Sequence, residues 1–293
     1  MPWVSLIPDV SVELGDYDTD KSPAYLANYA SECGHLFSEP SRVLELGVKR
    51  GGSLLLWRDL LPEARIAGLD VDPVELDDAG DRVRVYQGFQ QDAEVLDRIA
   101  AEVAPDGFDL IIDDASHFGA YTSASFWHLF PRHLKPGGVY VIEDWGTGYW
   151  AEWPDGRAYK GSRAALGEQA EAGGPRPAPG GSPDPEGGVS GASSAGALES
   201  LRRRVRGSAR PLAARLERRS PALRRRLEST YLRAEGAAMR RRFRSHDYGM
   251  VGFVKQLIDA CAIDVIDRTE DRARGRIRSV NVHPAQVFVH KLR

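Results

Sequence analysis

The sequence predicts an α/β fold, a doubly wound and mostly parallel sheet, and three observations predict it. Leu110-Ile111-Ile112 and Val139-Tyr140-Val141-Ile142 are short apolar runs bounded by turn residues, the signature of strands buried on both faces. Such runs alternate along the chain with helical patterns, as in Leu54–Leu61 and Gly119–His133. Several of them end abruptly in acid, at Asp70, at Asp113-Asp114 and at Glu143-Asp144. In an open α/β sheet, ligands bind at the carboxyl ends of the strands. Two strands thus deliver four carboxylates, with His117 close behind, to the expected functional edge.

Residues 1–40 read as an N-terminal helical leader. Asp18-Thr19-Asp20-Lys21-Ser22-Pro23 makes a turn with a helix start, and Tyr25, Leu26 and Tyr29 continue at helical spacing toward Leu36 and Phe37. The leader either caps one face of the sheet or forms a lid over a ligand. The first part of the main domain spans 41–152. Arg42–Gly47 is its first strand, and Val48–Ser53 is a glycine-rich turn into the helix LLLWRDLL. Such a turn lets a ligand approach backbone N–H groups at a helix N-terminus. Its spacing, Glu45-x-Gly47-x-x-x-Gly51-Gly52, differs from the GxGxxG dinucleotide fingerprint. Ile66–Asp70 is the second strand, and an acid at its end can accept both hydroxyls of a ribose. Asp72 suits a cap of the following turn. The third strand, Val83–Tyr86, leads to Phe89 and Gln90, where an aromatic face can pack on an adenine; Asp92 then suits the N-cap of EVLDRIA. Phe108–Ile112 is the fourth strand, Gly119–His133 a helix, and Lys135–Gly138 a turn into the fifth.

Residues 153–197 are rich in Gly, Pro, Ser and Ala and are expected to form a disordered linker, since they bury too little apolar surface to offset ordering entropy. Residues 202–244 hold sixteen Arg and three Glu, a formal +13; with −3 overall, the rest of the chain carries 16 net negative charges. Leucines recur there at helical spacing, interrupted near Pro211 and Pro221, so 198–245 reads as an Arg-rich helical insertion. Its partner is an acidic surface of this chain or a sister subunit, an anionic lipid surface, or nucleic-acid phosphates. The lack of interleaved aromatics counts against the last. The main domain resumes over 246–293. There GMVGFVKQLIDAC is a helix, Ala262–Ile266 a strand, and Ser279–Val282 with Gln286–Lys291 a terminal hairpin that completes the sheet.

Cys33 and Cys261 give no disulfide framework and no CxxC pattern, which fits a reducing cytoplasm. MPWVSLIPDV lacks the basic and apolar regions of a signal peptide, and no apolar run approaches the ~20 residues of a membrane span.

Glu143 and Asp144, with Asp114 on the next strand, repel one another if left unpaired. A hard divalent cation resolves this, and all-oxygen ligation favours Mg²⁺, Mn²⁺ or Ca²⁺ over zinc. The alternative is that these acids are ordinary strand-end caps. Asp113 is left to bond the neighbouring backbone. His117 is placed to take a proton, with an intrinsic pKa near the working range. His128 and His133 read as surface or packing residues. Trp145, Tyr149 and Trp150 either stack on a sugar face or pack as core or lid.

The succession ELGVKRGGS, GLDVD, QGFQQD, DDASH and KPGGVYVIED resembles the class I S-adenosylmethionine-dependent methyltransferases. More narrowly it is similar to the metal-dependent sugar O-methyltransferases of macrolide biosynthesis, the mycinamicin type, and TDKSPAYLANY matches that pattern too. The resemblance covers roughly residues 16–150 and 246–293. It implies a Rossmann-like seven-stranded sheet with an antiparallel last strand, which the terminal hairpin also suggests. It implies S-adenosyl-L-methionine and Mg²⁺, or another hard divalent cation, as cofactors. The acceptor it implies is a sugar hydroxyl of a glycosylated small molecule or saccharide. Carried over by position, the cofactor loop is Glu45, Gly47 and Gly51, the ribose acid Asp70, and the adenine-side segment Phe89-Gln90. The metal ligands are Asp114, Glu143 and Asp144; the catalytic residues are His117, as base, and Asp114. Ala115 stands where the family usually has glycine, in the turn that carries His117. A homo-oligomer is compatible with this reading. Two rivals remain: an RNA methyltransferase docking through the Arg-rich insertion, and a non-catalytic binding protein that kept the fold.

Overall fold

A computed structural model of the chain describes residues 2–37, 40–77, 80–150, 152–158, 247–266 and 277–293. The elements in chain order are β1 (Trp3–Ile7), β2 (Val10–Glu13), α1 (Pro23–Cys33), β3 (Arg42–Leu46), α2 (Gly52–Leu60), β4 (Arg65–Asp70), β5 (Val83–Gln87) and α3 (Ala93–Val103). They continue with β6 (Phe108–Asp113), α4 (Gly119–Arg132), β7 (Leu134–Glu143), α5 (Pro154–Ala158), α6 (Gly249–Ile266), β8 (Ile277–Val282) and β9 (Gln286–Lys291).

Seven strands form one sheet in the order β5-β4-β3-β6-β7-β9-β8. The first five pair in parallel, and β9 runs antiparallel to both β7 and β8. This is the expected mostly parallel sheet with an antiparallel last strand. Parallel neighbours need long crossovers, and the helices that make them cover both faces. Alternate strand residues point to opposite layers. Leu44, Leu46, Ile111, Tyr140 and Ile142 face α3, α4 and α6, packing with Ile99, Phe126 and Phe253. Val43, Ile66, Leu110, Ile112 and Val141 face α1 and α2, packing with Leu26, Tyr29 and Trp57.

Local signals set the helix starts. Ser22 accepts the Tyr25 N–H and Pro23 occupies the first turn of α1, while Asp92 accepts the N–H groups of Glu94 and Val95 at the start of α3. Gly51, with φ of 84°, precedes α2 in the left-handed region.

The structure corrects three expectations. The leader is not helical throughout: β1 and β2 form a hairpin, because Val4 and Leu6 alternate inward and Asp9 turns the chain at φ 64°. Ala262–Ile266 is not a strand but the last part of α6. No Gly or Pro interrupts the chain between Leu257 and Ile266, and a short run that is apolar but for Asp264 extends an existing helix without a new nucleus. The linker does not begin at 153. Residues 154–158 form α5, and Asp155, 1% exposed, accepts the N–H groups of Gly119 (2.8 Å) and Met250 (2.6 Å) at the starts of α4 and α6. A buried acid satisfying two helix N-termini outweighs the Gly/Pro composition around it. The rest of the linker, 159–197, and the Arg-rich segment 198–245 lie outside the described residues. No described helix is long and apolar enough to cross a membrane.

Candidate active site

The strand order reverses between β3 and β6, and the crevice at such a switch point is where open α/β sheets take ligands. On the β3–β4–β5 side, Asp70 Oδ2 accepts the backbone N–H groups of Val48 and Lys49, each at 2.7 Å, and so fixes the glycine-rich loop. Gly47 donates to Leu69 O at φ 88°. A Cβ on Gly47 would meet Asp114 O at 2.2 Å, so only glycine lets this loop touch the β6 loop. Glu45 is fully buried, with Ser53 Oγ donating to it at 2.8 Å. Phe89, 59% exposed, lies just beyond β5. Gln90 lies elsewhere. Its amide donates to Asp113 and Ser125 and accepts the Ser116 N–H, so it braces the turn carrying His117.

On the β6–β7 side, the acids are sorted by their partners. Asp114 Oδ2 lies 3.1 Å from Lys21 Nζ, and Asp144 Oδ1 accepts the Tyr25 hydroxyl at 2.7 Å. Their other oxygens approach His117 Nε2, at 3.9 Å from Asp114 Oδ1 and 4.0 Å from Asp144 Oδ2. One atom from each of these three residues lies within 4.8 Å of the others, a grouping able to hold a metal ion. Glu143 points elsewhere: it accepts from Lys21 (2.7 Å), Tyr29 (2.6 Å) and Gln286 (3.2 Å). Both His117 and Asp144 adopt positive φ, 50° and 51°, which aims them across the crevice. Ala115 itself packs against the apolar core.

Burial, opposed by the nearby Lys21 ammonium, leaves the Asp114 carboxyl well above the usual range, with Glu143 and Asp144 adding repulsion. Burial also favours the neutral form of Glu143, but its shorter contact to Lys21 and the Tyr29 hydrogen bond prevail and hold it low. Burial lowers the His117 pKa against the raising effect of Asp144 and Glu143. The ring of His117 meets that of Trp153 edge to face at 4.9 Å, and its buried Nδ1 has no hydrogen-bond partner among the described residues. Sequence reading missed Lys21, Tyr25, Tyr29 and Trp153 as site residues. The polar cluster before α1 signalled the first; Trp153 was hidden by its Gly/Pro-rich neighbourhood. Trp145 donates to His283 O and packs against the core, whereas Trp150 is 39% exposed. Tyr149 packs edge to face against Trp145.

Asp113 behaves differently from its neighbour. It accepts from the side chains of Gln90, Ser125 and Tyr140 beyond any backbone bond, and burial pushes its pKa up to about 6. A folded-state pKa above the unfolded value means that the native state holds the proton longer. Its contribution to stability is therefore present at low pH and is lost as pH rises through about 6. Asp113→Asn is expected to remove about 2 kcal/mol of the fall in stability between roughly pH 4.5 and pH 6.5. Urea melts at the two pH values check this; an unchanged slope would place the titration elsewhere.

No protein-family model matches the chain. Over 117 residues it is 49% identical to the mycinamicin VI 2''-O-methyltransferase of Micromonospora griseorubida, a match covering 37% of this chain and 28% of that enzyme. Over 129 residues it is 43% identical to the 8-demethyl-8-(2-methoxy-alpha-L-rhamnosyl)-tetracenomycin-C 3'-O-methyltransferase of Streptomyces olivaceus, covering 41% and 32%. Among solved structures it is similar to the MycE methyltransferase of the mycinamycin biosynthetic pathway, in complex with Mg, SAH and mycinamycin VI. The TM-score is 0.55 at 26% identity, over 95% of this chain and 52% of that one. The chain has the methyltransferase fold. It spans about half the length of MycE and less of the curated relatives it matches. Within this methyltransferase fold, the glycine-rich loop and Asp70 lie on one side of the strand reversal, and the acids with His117 on the other.

Proposed function

We propose that the chain acts as an S-adenosylmethionine- and divalent-metal-dependent O-methyltransferase on a sugar hydroxyl of a glycosylated small molecule or saccharide. The observation that carries this reading is the convergence of Asp114 Oδ1 and Asp144 Oδ2, with His117 Nε2 about 4 Å from both as the neighbouring base, beside the loop organised by Asp70. The donor set fits a hard cation: two carboxylates each have one oxygen tied to the leader and the other turned to a shared point. Bound there, such an ion would acidify an acceptor hydroxyl, while S-adenosylmethionine would supply the electrophilic methyl group.

The chain's own residues account for the rest. Low His117 basicity, set by burial, keeps the imidazole neutral near neutral pH, so Nε2 is ready to accept the proton of an approaching hydroxyl. Trp153 covers the ring and limits water around it. Lys21 and Tyr25 hold Asp114 and Asp144 against their mutual repulsion. Cys33 and Cys261 are both unpaired, in keeping with a reducing cytoplasmic setting.

Calorimetric titration of S-adenosylhomocysteine, with and without Mg²⁺, tests the reading. Wild type is expected to bind it, and Asp70→Ala to weaken binding about tenfold or more, through loss of the two N–H contacts that shape the loop. Absence of binding to wild type in both conditions would bring the non-catalytic binding protein to the front.

A further inference from the structure

Lys21 does more than steady Asp114. Lys21 is 2% exposed, and its ammonium touches acids from three strands' ends: Glu143 at 2.7 Å, Asp114 at 3.1 Å and Glu45 at 3.3 Å. It also lies 5.8 Å from the Trp57 ring. Glu45 belongs to β3 on the cofactor-loop side of the strand reversal, Asp114 and Glu143 to the other side. The turn that supplies Lys21 is built to stay in place. Asp18 is bound by the Arg50 guanidinium, Lys21 N–H donates to Thr19 Oγ1, and Ser22 caps α1 directly after it. A Cβ on Gly52 would meet Asp18 O at 2.1 Å, so the turn is pressed against the start of α2.

A buried ammonium among carboxylates does the electrostatic work of a cation that is always present. A divalent ion arriving at Asp114 and Asp144 meets that positive charge across a single carboxylate. It also finds both Glu143 oxygens taken, one of them by Lys21. We propose that Lys21 is a resident cation that competes with the divalent ion for Asp114 and Glu143. It keeps the acid cluster folded when metal is absent and makes the metal exchangeable. This rests on the metal-dependent reading above.

The test is calorimetric titration of Mg²⁺, and of Mn²⁺ as a tighter-binding probe, into wild type and Lys21→Met, with thermal melts in parallel. Lys21→Met keeps an unbranched side chain one atom shorter and drops the charge. The expected result is metal binding at least tenfold tighter than wild type, a lower melting temperature without metal, and a larger rise on adding Mg²⁺. Should Lys21→Met not fold without metal, Lys21→Gln and refolding in Mg²⁺ take its place; folding that returns with Mg²⁺ supports the proposal. Metal affinity equal to or weaker than wild type, or no recovery of folding by Mg²⁺ in either variant, overturns it. A wild type that binds neither ion overturns the metal-dependent reading itself, a distinct outcome.

Discussion

His117→Ala is expected to lower kcat by about 10²- to 10⁴-fold, the usual contribution of a positioned general base. Affinity for S-adenosylhomocysteine should move by less than about threefold, because the glycine-rich loop is fixed by the Asp70 carboxylate and not by the His117 side chain. The imidazole is held by its backbone at positive φ and by Trp153, so its removal deletes chemistry and leaves the Asp114 and Asp144 contacts to Lys21 and Tyr25 intact. Methyl transfer to a glycosidic acceptor, followed by product formation, gives kcat. A variant retaining more than about a tenth of wild-type turnover would remove His117 from the role of base.

The second large effect concerns stability. Tyr29 is fully buried, its ring edge to face with Trp57 at 5.0 Å and with Phe288 at 5.4 Å, while its hydroxyl donates to Glu143 at 2.6 Å. Tyr29→Ala is expected to cost about 3–5 kcal/mol, since it opens a cavity between α1, α2 and the sheet. Tyr29→Phe keeps the packing and removes only the hydrogen bond to a buried carboxylate, at about 1–3 kcal/mol. Urea denaturation of the two variants separates the contributions. Equal losses would assign the whole effect to the hydroxyl; a loss under about 1 kcal/mol for the alanine variant would mean that α1 is not anchored here.

The parallel strands were legible because each is a short apolar run stopped by turn chemistry, and Asp92 as an N-cap and the terminal hairpin followed from equally local signals. Ala262–Ile266 was misread because five residues, four of them apolar, carry no period that separates helix from strand. Asp114, His117 and Asp144 are brought together as their positions at strand ends implied. What could not be read was the division of labour among the acids. Whether Glu143 or Asp144 faces the crevice depends on Lys21, Tyr29 and Gln286, all of which lie more than a hundred residues from Glu143. α5 escaped notice for a related reason, since its order comes from Asp155 meeting two distant helix starts and not from its own composition.

The placement of β9 between β7 and β8 has a consequence for how the protein is made. Gln286 and Glu143 face each other from 143 residues apart in sequence. At ribosomal rates of roughly 5–20 residues per second, β7 waits about 7–30 s for its neighbour. Until then Val139–Ile142, wholly buried in the finished sheet, forms an apolar edge with unpaired backbone groups. The nascent chain thus passes through a period in which its central sheet is open to pairing with another chain.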